Sequence, residues 1–261
     1  MNRLLLSTCT IALLAANALN SSTIEQKLAP YKNFLENGTY DGQDWSSFSR
    51  KPLSRYHTFL KAFEHFTDHN GKIVVELGTT RSFTHGGLPG CNRDETYFWT
   101  PNNPENWDWG AGSFTRIAAE ILCSLNPIIH TVDLASAHIK RCQLITAEFS
   151  SIMRYHVCSS LDFLRSWNTT QKIDLIYMDT GDMTPIEPTA RLHLAEAQII
   201  VERNLLSSNG IILIDDVRNQ TPKKFGDQTG LGKDKYSIPY LITHGFEIVE
   251  DEYQVILKKR S

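Results

Sequence analysis

The sequence lacks an excess of positive charge, and this limits the partners it could have. Its 261 residues include 26 lysines and arginines against 29 aspartates and glutamates, which gives a net charge of −3. A protein that follows a nucleic-acid backbone needs many cationic contacts with phosphates. We therefore expect no nucleic-acid partner and a small molecule as the substrate, while the oligomeric state stays open, a homodimer included.

Several motifs of known chemistry are also missing. None of the five cysteines belongs to a Cys-x-x-Cys pair, so a zinc site or a thioredoxin-like redox centre has no support. No Gly-x-Ser-x-Gly elbow, His-Glu-x-x-His pair or Walker loop occurs, and there is no internal repeat. The sequence therefore gives no motif-based support for a serine hydrolase, a zinc protease or a phosphate-loop protein.

Short apolar segments that end in polar residues alternate with helical patterns from residue 71 onward. Strands are predicted at residues 73–78, 128–133, 155–158, 173–179 and 210–216, and helices at 113–125, 135–150, 161–167 and 188–206. This alternation predicts parallel βαβ units, and hence an α/β fold of the Rossmann-like type. Two further segments, 246–249 and 253–257, predict an antiparallel hairpin at the end of a mostly parallel, seven-stranded sheet.

The pattern divides the chain into three parts: residues 1–19, 20–70 and 71–261. In the first, an apolar run from Leu4 to Ala18 follows Met1-Asn2-Arg3 and resembles a secretory signal too short for a comfortable membrane span. A short anchor or an apolar helix is the alternative. The second part is expected to be mostly helical, because Leu53–His65 has apolar residues at helical spacing. The third part carries the sheet.

Acidic or hydroxyl side chains end each of the five predicted parallel strands. The carboxyl ends of parallel strands meet at one edge of a sheet, where open α/β sheets bind their ligands. A single acid at a strand end is often only a turn or N-cap residue, but here there are several. We expect the following residues to share one edge: Glu76, Asp133, Ser159, Asp179, Asp215 and Asp216.

The first turn, Glu76-Leu77-Gly78-Thr79-Thr80, lacks the Gly-x-Gly-x-x-Gly of dinucleotide folds. A pyrophosphate needs close backbone approach at a helix N-terminus, and Glu76 would repel it. The carboxylate suits instead the cationic methionyl part of S-adenosylmethionine, and Asp133 can accept the hydroxyls of a ribose. The alternative for Glu76 is a capped turn.

In their order along the chain, these segments resemble the motifs of the class I S-adenosylmethionine-dependent methyltransferases. The resemblance runs from Lys72 to Lys259 and rests on residues 75–79, 131–134, 174–179 and 205–210 with the terminal hairpin. It implies that the glycine turn packs on the cofactor, that Asp133 binds ribose, and that the residues after the third strand contact adenine. The implied cofactor-binding residues are Glu76, Gly78, Thr79, Thr80, Asp133, Leu134, Ser159, Ser160 and Asp179.

A narrower resemblance is to the metal-dependent O-methyltransferases of the catechol type. In that family an Asp ends the fourth strand, an Asp-Asp or Asp-Asn pair ends the fifth, and together they hold a divalent cation. Asp179, Asp215 and Asp216 match this arrangement, which implies a Mg²⁺ site that favours the deprotonated form of a substrate hydroxyl. The alternative is that Asp215-Asp216 begins a capped loop.

One position departs from the catechol-type pattern. Where that family has a lysine three residues after the fourth-strand Asp, this sequence has Asp182. A lysine base at that position is therefore not expected, and another group must take the proton. The catalytic candidates are Asp179, Asp182 and His193.

An insertion at about residues 81–110 separates the glycine turn from the helix that should follow it. Gly78 and Asp133 are 55 positions apart, against about 20 in a compact unit. The insertion is rich in Gly, Pro, Asn, Trp and Tyr. A long loop at the ligand edge is usually a lid or a specificity element, so we expect it to shape the site. The alternative is an ordered excursion with a small core of its own.

The sequence thus predicts a methyltransferase that uses S-adenosylmethionine and transfers the methyl group to an oxygen of a small hydroxylated molecule or a sugar, assisted by Mg²⁺. A non-catalytic or exported ligand-binding protein on the same fold is the alternative, which the signal-like N-terminus favours. An NAD-dependent oxidoreductase is a third, which the missing glycine motif disfavours. Because the cofactor is made in the cytosol and the N-terminus resembles a signal, the localisation stays open.

Overall fold

A seven-stranded mixed sheet forms the centre of the protein. The computed structural model describes residues 24–37, 39–40, 43–44, 54–81, 103–104, 107, 113–182, 185–217 and 232–260. Its strands are β1 (Ile73–Leu77), β2 (Ile128–Asp133), β3 (Met153–Val157), β4 (Ile173–Met178), β5 (Leu206–Ile214), β6 (Phe246–Asp251) and β7 (Val255–Lys259). Their spatial order is β3-β2-β1-β4-β5-β7-β6. Strands β1 to β5 are parallel, and β7 runs antiparallel to both of its neighbours. The predicted fold class is confirmed.

Helices cover both faces of this sheet. They are α1 (Lys32–Asn37), α2 (Tyr56–Asp68), α3 (Phe114–Leu122), α4 (Ser136–Ile145), α5 (Ser160–Ser166), α6 (Ile186–Glu202) and α7 (Ser237–Thr243). Short 3₁₀ turns lie at Ala29–Tyr31, Cys123–Leu125 and Ala147–Phe149, and a small hairpin pairs Thr39–Tyr40 with Gln43–Asp44. The helices are amphipathic or apolar enough to bury one stripe against the sheet, as a layered α/β fold requires.

Alternate residues of the strands contribute to two separate hydrophobic cores, one on each face of the sheet. On one face, Leu175 and Tyr177 of β4 pack with α2 and α3. On the other face, Ile176 and Met178 of the same strand pack with α5, α6 and α7. Successive side chains of a strand point to opposite faces, so a strand buried on both sides reads as a continuous apolar run. This is why the central strands were recognisable from the sequence.

Helix α2 belongs to the core of the sheet domain. Its Phe59 ring lies 5.4 Å from the ring of Phe114 on α3 and 5.9 Å from that of Tyr177 on β4. The helix runs over Tyr56–Asp68, three residues later than the predicted 53–65. The helix thus packs against one face of the sheet, while the predicted division of the chain into three parts stays a prediction. Residues 1–23, with the signal-like run, lie outside the described residues. Within the described part of the chain, no helix is long and apolar enough to span a membrane.

The prediction was wrong mainly at the fifth strand and just before the hairpin. Helix α6 ends at Glu202, not at 206, because Asn204 takes a left-handed conformation that stops it. Strand β5 then starts at Leu206 rather than 210, and its polar residues 207–209 occupy a register shift against β4 where they are not fully buried. Helix α7 was not predicted, since seven residues with Pro239 among them give little periodic signal.

Candidate functional site

The polar strand ends meet where the order of the sheet reverses. After β3 the chain crosses to the other side of β1 and continues with β4, so the carboxyl ends of β1 and β4 flank a topological switch point. Ligands of open α/β sheets bind in the crevice at such a point, because the connections leave its two sides in opposite directions. The candidate site is therefore the edge formed by the residues that follow β1, β2, β4 and β5.

Gly78 holds the turn after β1 tightly between the neighbouring strands. Its φ is +89°, and a Cβ at this position would lie 2.6 Å from the backbone oxygen of Asp179. Its amide donates to the Val132 carbonyl at 2.9 Å, while the Asp179 amide donates to the Leu77 carbonyl at 2.8 Å. Only glycine fits this conformation and this contact without strain. The turn that the sequence assigns to the cofactor is thus fixed on both sides.

Asp133 ends β2 beside this turn and is held by backbone donors. Its Oδ2 accepts from the Thr79 amide at 3.2 Å and lies 3.1 Å from Nδ1 of His138. Its Oδ1 accepts from the Ala135 amide at 2.7 Å. The next residue, Leu134, is 76% exposed, which is unusual for a leucine and leaves an apolar surface next to the carboxylate. Asp133 is the residue to which the sequence assigns a ribose contact, and Leu134 is among the implied cofactor-binding residues; both assignments stay predictions.

Glu76 is buried beneath the glycine turn. Its Oε2 accepts from the hydroxyls of Thr131, at 2.6 Å, and of Thr115. Its Oε1 has no hydrogen-bond partner among the described residues. Burial raises the pKa of Glu76 to about 8, against the opposing effect of the threonine hydrogen bonds. A buried carboxyl oxygen without a donor is costly, and a cationic ligand group that approached it would relieve the cost.

The two serines after β3 are used within the protein. Ser159 caps α5: its Oγ accepts from the Asp162 amide at 3.1 Å, and its hydroxyl donates to the Asp162 carboxylate at 2.7 Å. The Ser160 side chain is buried and acts to lower the pKa of Glu196 on α6, against the larger effect of burial, which raises it. An adenine contact through these residues stays a prediction. Thr79 and Thr80 are also buried, at 6% and 2% exposure.

The three predicted metal ligands do come together. Asp179 follows β4, Asp215 and Asp216 follow β5, and one carboxylate oxygen from each lies within 4.8 Å of the others. Asp216 has a positive φ of 55°, which an aspartate tolerates better than most residues. Burial raises the pKa of Asp179 to about 7, while Lys233 acts in the opposite direction. These three residues are called the aspartate cluster below.

Two cations that the sequence analysis did not identify accompany the aspartate cluster. Lys233 places its Nζ 2.6 Å from Oδ1 of Asp179 and 2.9 Å from Oδ2 of Asp216. Arg55, just before α2, contacts Asp215 through Nε at 3.1 Å and Nη2 at 2.5 Å. Burial acts to raise the pKa of Asp216, but the positive charges of Lys233 and Arg55 outweigh it and lower this pKa below its usual range.

Hydrogen bonds from the turn before β7 complete this network. The Tyr253 hydroxyl donates to Oδ1 of Asp216, and the Gln254 amide donates to Oδ1 of Asp215 at 2.8 Å. Every carboxylate of the cluster is thus bound to a cationic group. The donor types would suit Mg²⁺, but Mg²⁺ needs about six oxygen ligands at about 2.0–2.1 Å, and the Lys233 ammonium lies between two of the carboxylates instead. The residues present therefore do not fit a metal ion.

Comparison with solved structures identifies the fold of this chain. No protein-family model and no curated protein matches the sequence. Among solved structures, the SAH-bound methyltransferase PaMTH1 of Podospora anserina matches with a TM-score of 0.51 and 13% identity, over 100% of this chain and 97% of that chain. The chain has the fold of the class I S-adenosylmethionine-dependent methyltransferases.

Two further solved structures match less well, with TM-scores below 0.5. TrmN of Thermus thermophilus has a TM-score of 0.44 and 13% identity, over 77% of this chain and 48% of that chain. Fibrillarin of Aeropyrum pernix, in complex with natively bound S-adenosyl-L-methionine, has a TM-score of 0.43 and 14% identity, over 72% of this chain and 66% of that chain. At these identities the likeness concerns the fold and not the activity.

Two of the predicted catalytic residues, His193 and Asp182, make their contacts outside the aspartate cluster. His193 on α6 is fully buried, and its Nε2 donates to the Thr180 carbonyl at 3.0 Å. Burial lowers its pKa to about 3, so the ring is neutral and helps to hold the turn after β4. Asp182 is exposed and pairs with Arg81 at 2.5 Å, across from the glycine turn. Their catalytic roles stay predictions, and neither residue touches the aspartate cluster in the contacts described.

Most of the predicted insertion at 81–110 lies outside the described residues. Of its aromatic residues, Trp107 is described: it is buried and packs 5.5 Å from the rings of Tyr31 and Phe34. This contact connects the insertion to the 3₁₀ turn before α1 and to α1 itself. Trp107 belongs to the same hydrophobic core as α2 and α3. The expected role of the loop in the site and the alternative of a small core of its own both stay predictions.

Proposed function

We propose that this protein is an S-adenosylmethionine-dependent methyltransferase that acts on a hydroxyl of a small molecule or a sugar. The observation that carries the proposal is the arrangement at the switch point. There a tight glycine turn lies between a carboxylate on its rim, Asp133, and a buried carboxyl group beneath it, Glu76. The methyltransferase fold supports the cofactor, and the aspartate cluster on the other side of Gly78 supports an acceptor site.

The cofactor has three chemically different parts, and the site offers a suitable group for each. The Asp133 carboxylate can accept the ribose hydroxyls, and it is already oriented by the Thr79 and Ala135 amides. The exposed Leu134 side chain gives adenine an apolar surface. The unpartnered Oε1 of Glu76 suits the positive charge of the methionyl part. None of these groups would favour a pyrophosphate, which argues against a dinucleotide.

We assign Asp179 as the base that takes the proton from the hydroxyl group of the methyl acceptor. Its carboxylate lies at the end of β4, and burial raises its pKa to about 7. A base with a pKa near the working pH is best suited to accept a proton in the transition state. When bound, S-adenosylmethionine supplies the methyl group as a sulfonium. The acceptor oxygen forms the new bond to carbon, the sulfur keeps the electron pair of the broken bond, and Asp179 takes the hydroxyl proton.

Alignment is the main contribution of the protein to such a reaction. Methyl transfer is an in-line displacement, so the acceptor oxygen and the sulfur must be held on opposite sides of the methyl carbon. In this fold the Gly78 turn and the Asp179 turn are in van der Waals contact, which places the cofactor side and the acceptor side next to each other. A rigid strand-end scaffold serves this purpose better than a flexible loop.

The proposal is tested by binding and by turnover. Isothermal titration of the full chain with SAH (S-adenosylhomocysteine), the demethylated product, is expected to give one site, and NADH is expected to give no heat. A panel of phenols, catechols, sugars and other hydroxylated acceptors is then screened for the production of SAH. Folded protein that binds neither S-adenosylmethionine nor SAH at about 1 mM would overturn the proposal. Tight binding without turnover on any acceptor would favour the non-catalytic alternative.

A further inference from the structure

We infer that Lys233 and Arg55 are the permanent cations of the aspartate cluster and that this site works without a divalent metal. The inference concerns the acceptor side of the proposed site. It can be tested without any methyl acceptor, because it is a statement about metal binding and stability. It also goes against the metal dependence that the aspartate spacing alone suggests.

The Lys233 ammonium occupies the position between two of the three carboxylates. Its Nζ lies 2.6 Å from Asp179 and 2.9 Å from Asp216, and 3.4 Å from the Asp179 backbone oxygen. These contacts account for all three of its protons. The side chain is only 3% exposed, so the ammonium cannot turn out to water without moving its segment. A metal ion could enter only if this side chain left.

The backbone next to Lys233 is built to bring it close. The Lys233 amide donates to the Asp216 carbonyl at 3.4 Å, so the segment runs against the turn after β5. A Cβ on Gly232 would collide with the backbone oxygens of Asp216 and Val217. The absence of a side chain at Gly232 therefore allows the approach that delivers the lysine. This close packing indicates a fixed position rather than a surface lysine that happens to bend inward.

Arg55 fixes the third carboxylate from the opposite side. It binds Asp215 through two nitrogens, the geometry that a guanidinium favours with a carboxylate. Asp215 is fully buried and Arg55 is 5% exposed, so the pair is shielded from water. Removing one partner of a buried pair leaves an uncompensated charge, which is strongly unfavourable. Asp215 is thereby held in an ion pair and is not available as a metal ligand.

The two side chains already offset most of the negative charge of the aspartate cluster. The three carboxylates carry three negative charges, and Lys233 and Arg55 offset two of them. A divalent ion in addition would give the buried cluster a net positive charge and would need the lysine to move. With the cations supplied by the chain, Lys233 is a positioning residue: it fixes Asp179 and does not itself touch the acceptor in the contacts described.

The first test uses the wild-type protein and Mn²⁺, whose free form is measured by electron paramagnetic resonance. We expect no stoichiometric binding below about 1 mM Mn²⁺, and the same Tm in EDTA as in Mg²⁺. Saturable binding of one Mn²⁺ per chain that is lost in Asp216→Asn would overturn the inference. This experiment needs no altered lysine, so it decides the matter even if the variants below do not fold.

The second test removes the lysine. We expect Lys233→Ala to bind one Mn²⁺ at least about tenfold more tightly than the wild type, and its Tm to rise with added Mn²⁺. Lys235→Ala is the matched control, because Lys235 is two residues away and pairs with Glu187 instead. It loses the same charge and should gain no site. Lys233→Met, which keeps the bulk of the side chain, replaces Lys233→Ala if that variant is unfolded.

The outcomes separate this inference from the proposed function. A folded Lys233 variant that binds no Mn²⁺ would overturn the claim that the lysine occupies a metal position. SAH affinity is measured on the same samples, since the cofactor side of the site lies on β1 and β2. If the wild-type protein binds no SAH, the methyltransferase proposal is overturned, but the result on metal binding stays valid.

Discussion

The backbone amide of Thr79 donates a 3.2 Å hydrogen bond to the Asp133 carboxylate, so the glycine turn after β1 and the acid after β2 hold each other in place. This bond connects the two predicted cofactor motifs directly. It gives Asp133 a structural role in addition to the ribose-binding role that we propose. A substitution at Asp133 must therefore be compared with one that costs similar hydrogen bonds elsewhere.

We expect Asp133→Ala to weaken SAH binding about 10- to 100-fold, measured by isothermal titration. The loss corresponds to one charge-assisted hydrogen bond, at about 1.5–3 kcal/mol. Asp174→Ala is the control: Asp174 accepts from the Lys72 and Ile73 amides at 2.7 and 3.0 Å, at the opposite end of the sheet. It should lower the free energy of unfolding and leave SAH affinity unchanged. Equal affinity for the wild type and Asp133→Ala would contradict the ribose assignment.

We expect Gly78→Ala to lower the free energy of unfolding and to abolish SAH binding. The positive φ alone costs about 1–3 kcal/mol for a residue with a Cβ, and the contact with Asp179 adds to it. Gly245→Ala separates the two effects, because Gly245 has a φ of +87° but no atom within 4 Å of its would-be Cβ. Urea unfolding should give a clearly larger loss for Gly78→Ala. Equal losses in the two variants would mean that the contact with Asp179 is unimportant.

The stability of the protein should depend on pH through Glu76. Its pKa is raised from 4.5 to about 8 by burial, so the folded state keeps a proton that the unfolded state has already lost. Its contribution to stability is fully present below pH 4.5 and is lost as the pH rises through 8. We expect Glu76→Gln to flatten the decline in the free energy of unfolding over this range.

The control for this measurement is Glu36→Gln on α1, where the side chain is exposed. It should keep the wild-type pH profile. An unchanged profile in Glu76→Gln would show that the carboxyl group is ionised in the folded protein. Part of the decline should remain in Glu76→Gln, because burial also raises the pKa of Glu196 to about 7.

Helix α2 should be essential for folding, because it closes one face of the sheet. Phe59→Ala removes a buried ring that contacts Phe114 and Tyr177, and such a truncation costs about 3–5 kcal/mol. Phe59→Leu keeps most of the volume and should cost clearly less. Chemical denaturation followed by tryptophan fluorescence measures both. A loss near zero in Phe59→Ala would mean that α2 packs only loosely on the sheet.

Much of the fold and part of the site could be predicted from the sequence. The two-sided burial of β1, β2 and β4 gives continuous apolar runs, and acids stand at the carboxyl ends of these runs. The pattern alone is therefore enough to predict that Asp133 and Asp179 share one edge of the sheet. Lys233 and Arg55 could not be placed in this way. Asp215 is 160 positions from Arg55. Arg55 falls within the predicted helical segment 53–65, but helical spacing does not tell that its side chain reaches the end of β5, and Lys233 lies in no periodic segment.

The same limit applies to the aspartate cluster and to His193, whose metal-binding and catalytic roles stay predictions. Strand-end spacing predicts which carboxylates meet, but not which cation meets them, because the partner comes from a loop. A histidine on a helix can be recognised from the sequence, whereas its complete burial behind Thr180 depends on how α6 packs on the sheet. A glycine immediately before a lysine, as in Gly232-Lys233, is too common to be used as a signal alone.

The missing side chain at Gly78 has a consequence for how two ligands would affect each other. With no atoms between the turns, the peptide after Asp179 is a common wall of the donor side and the acceptor side. Protein interiors are packed as densely as organic crystals, so a displacement of this peptide by one ligand is felt by the other. Donor and acceptor should then bind cooperatively, and by linkage each should change the affinity of the other by the same factor.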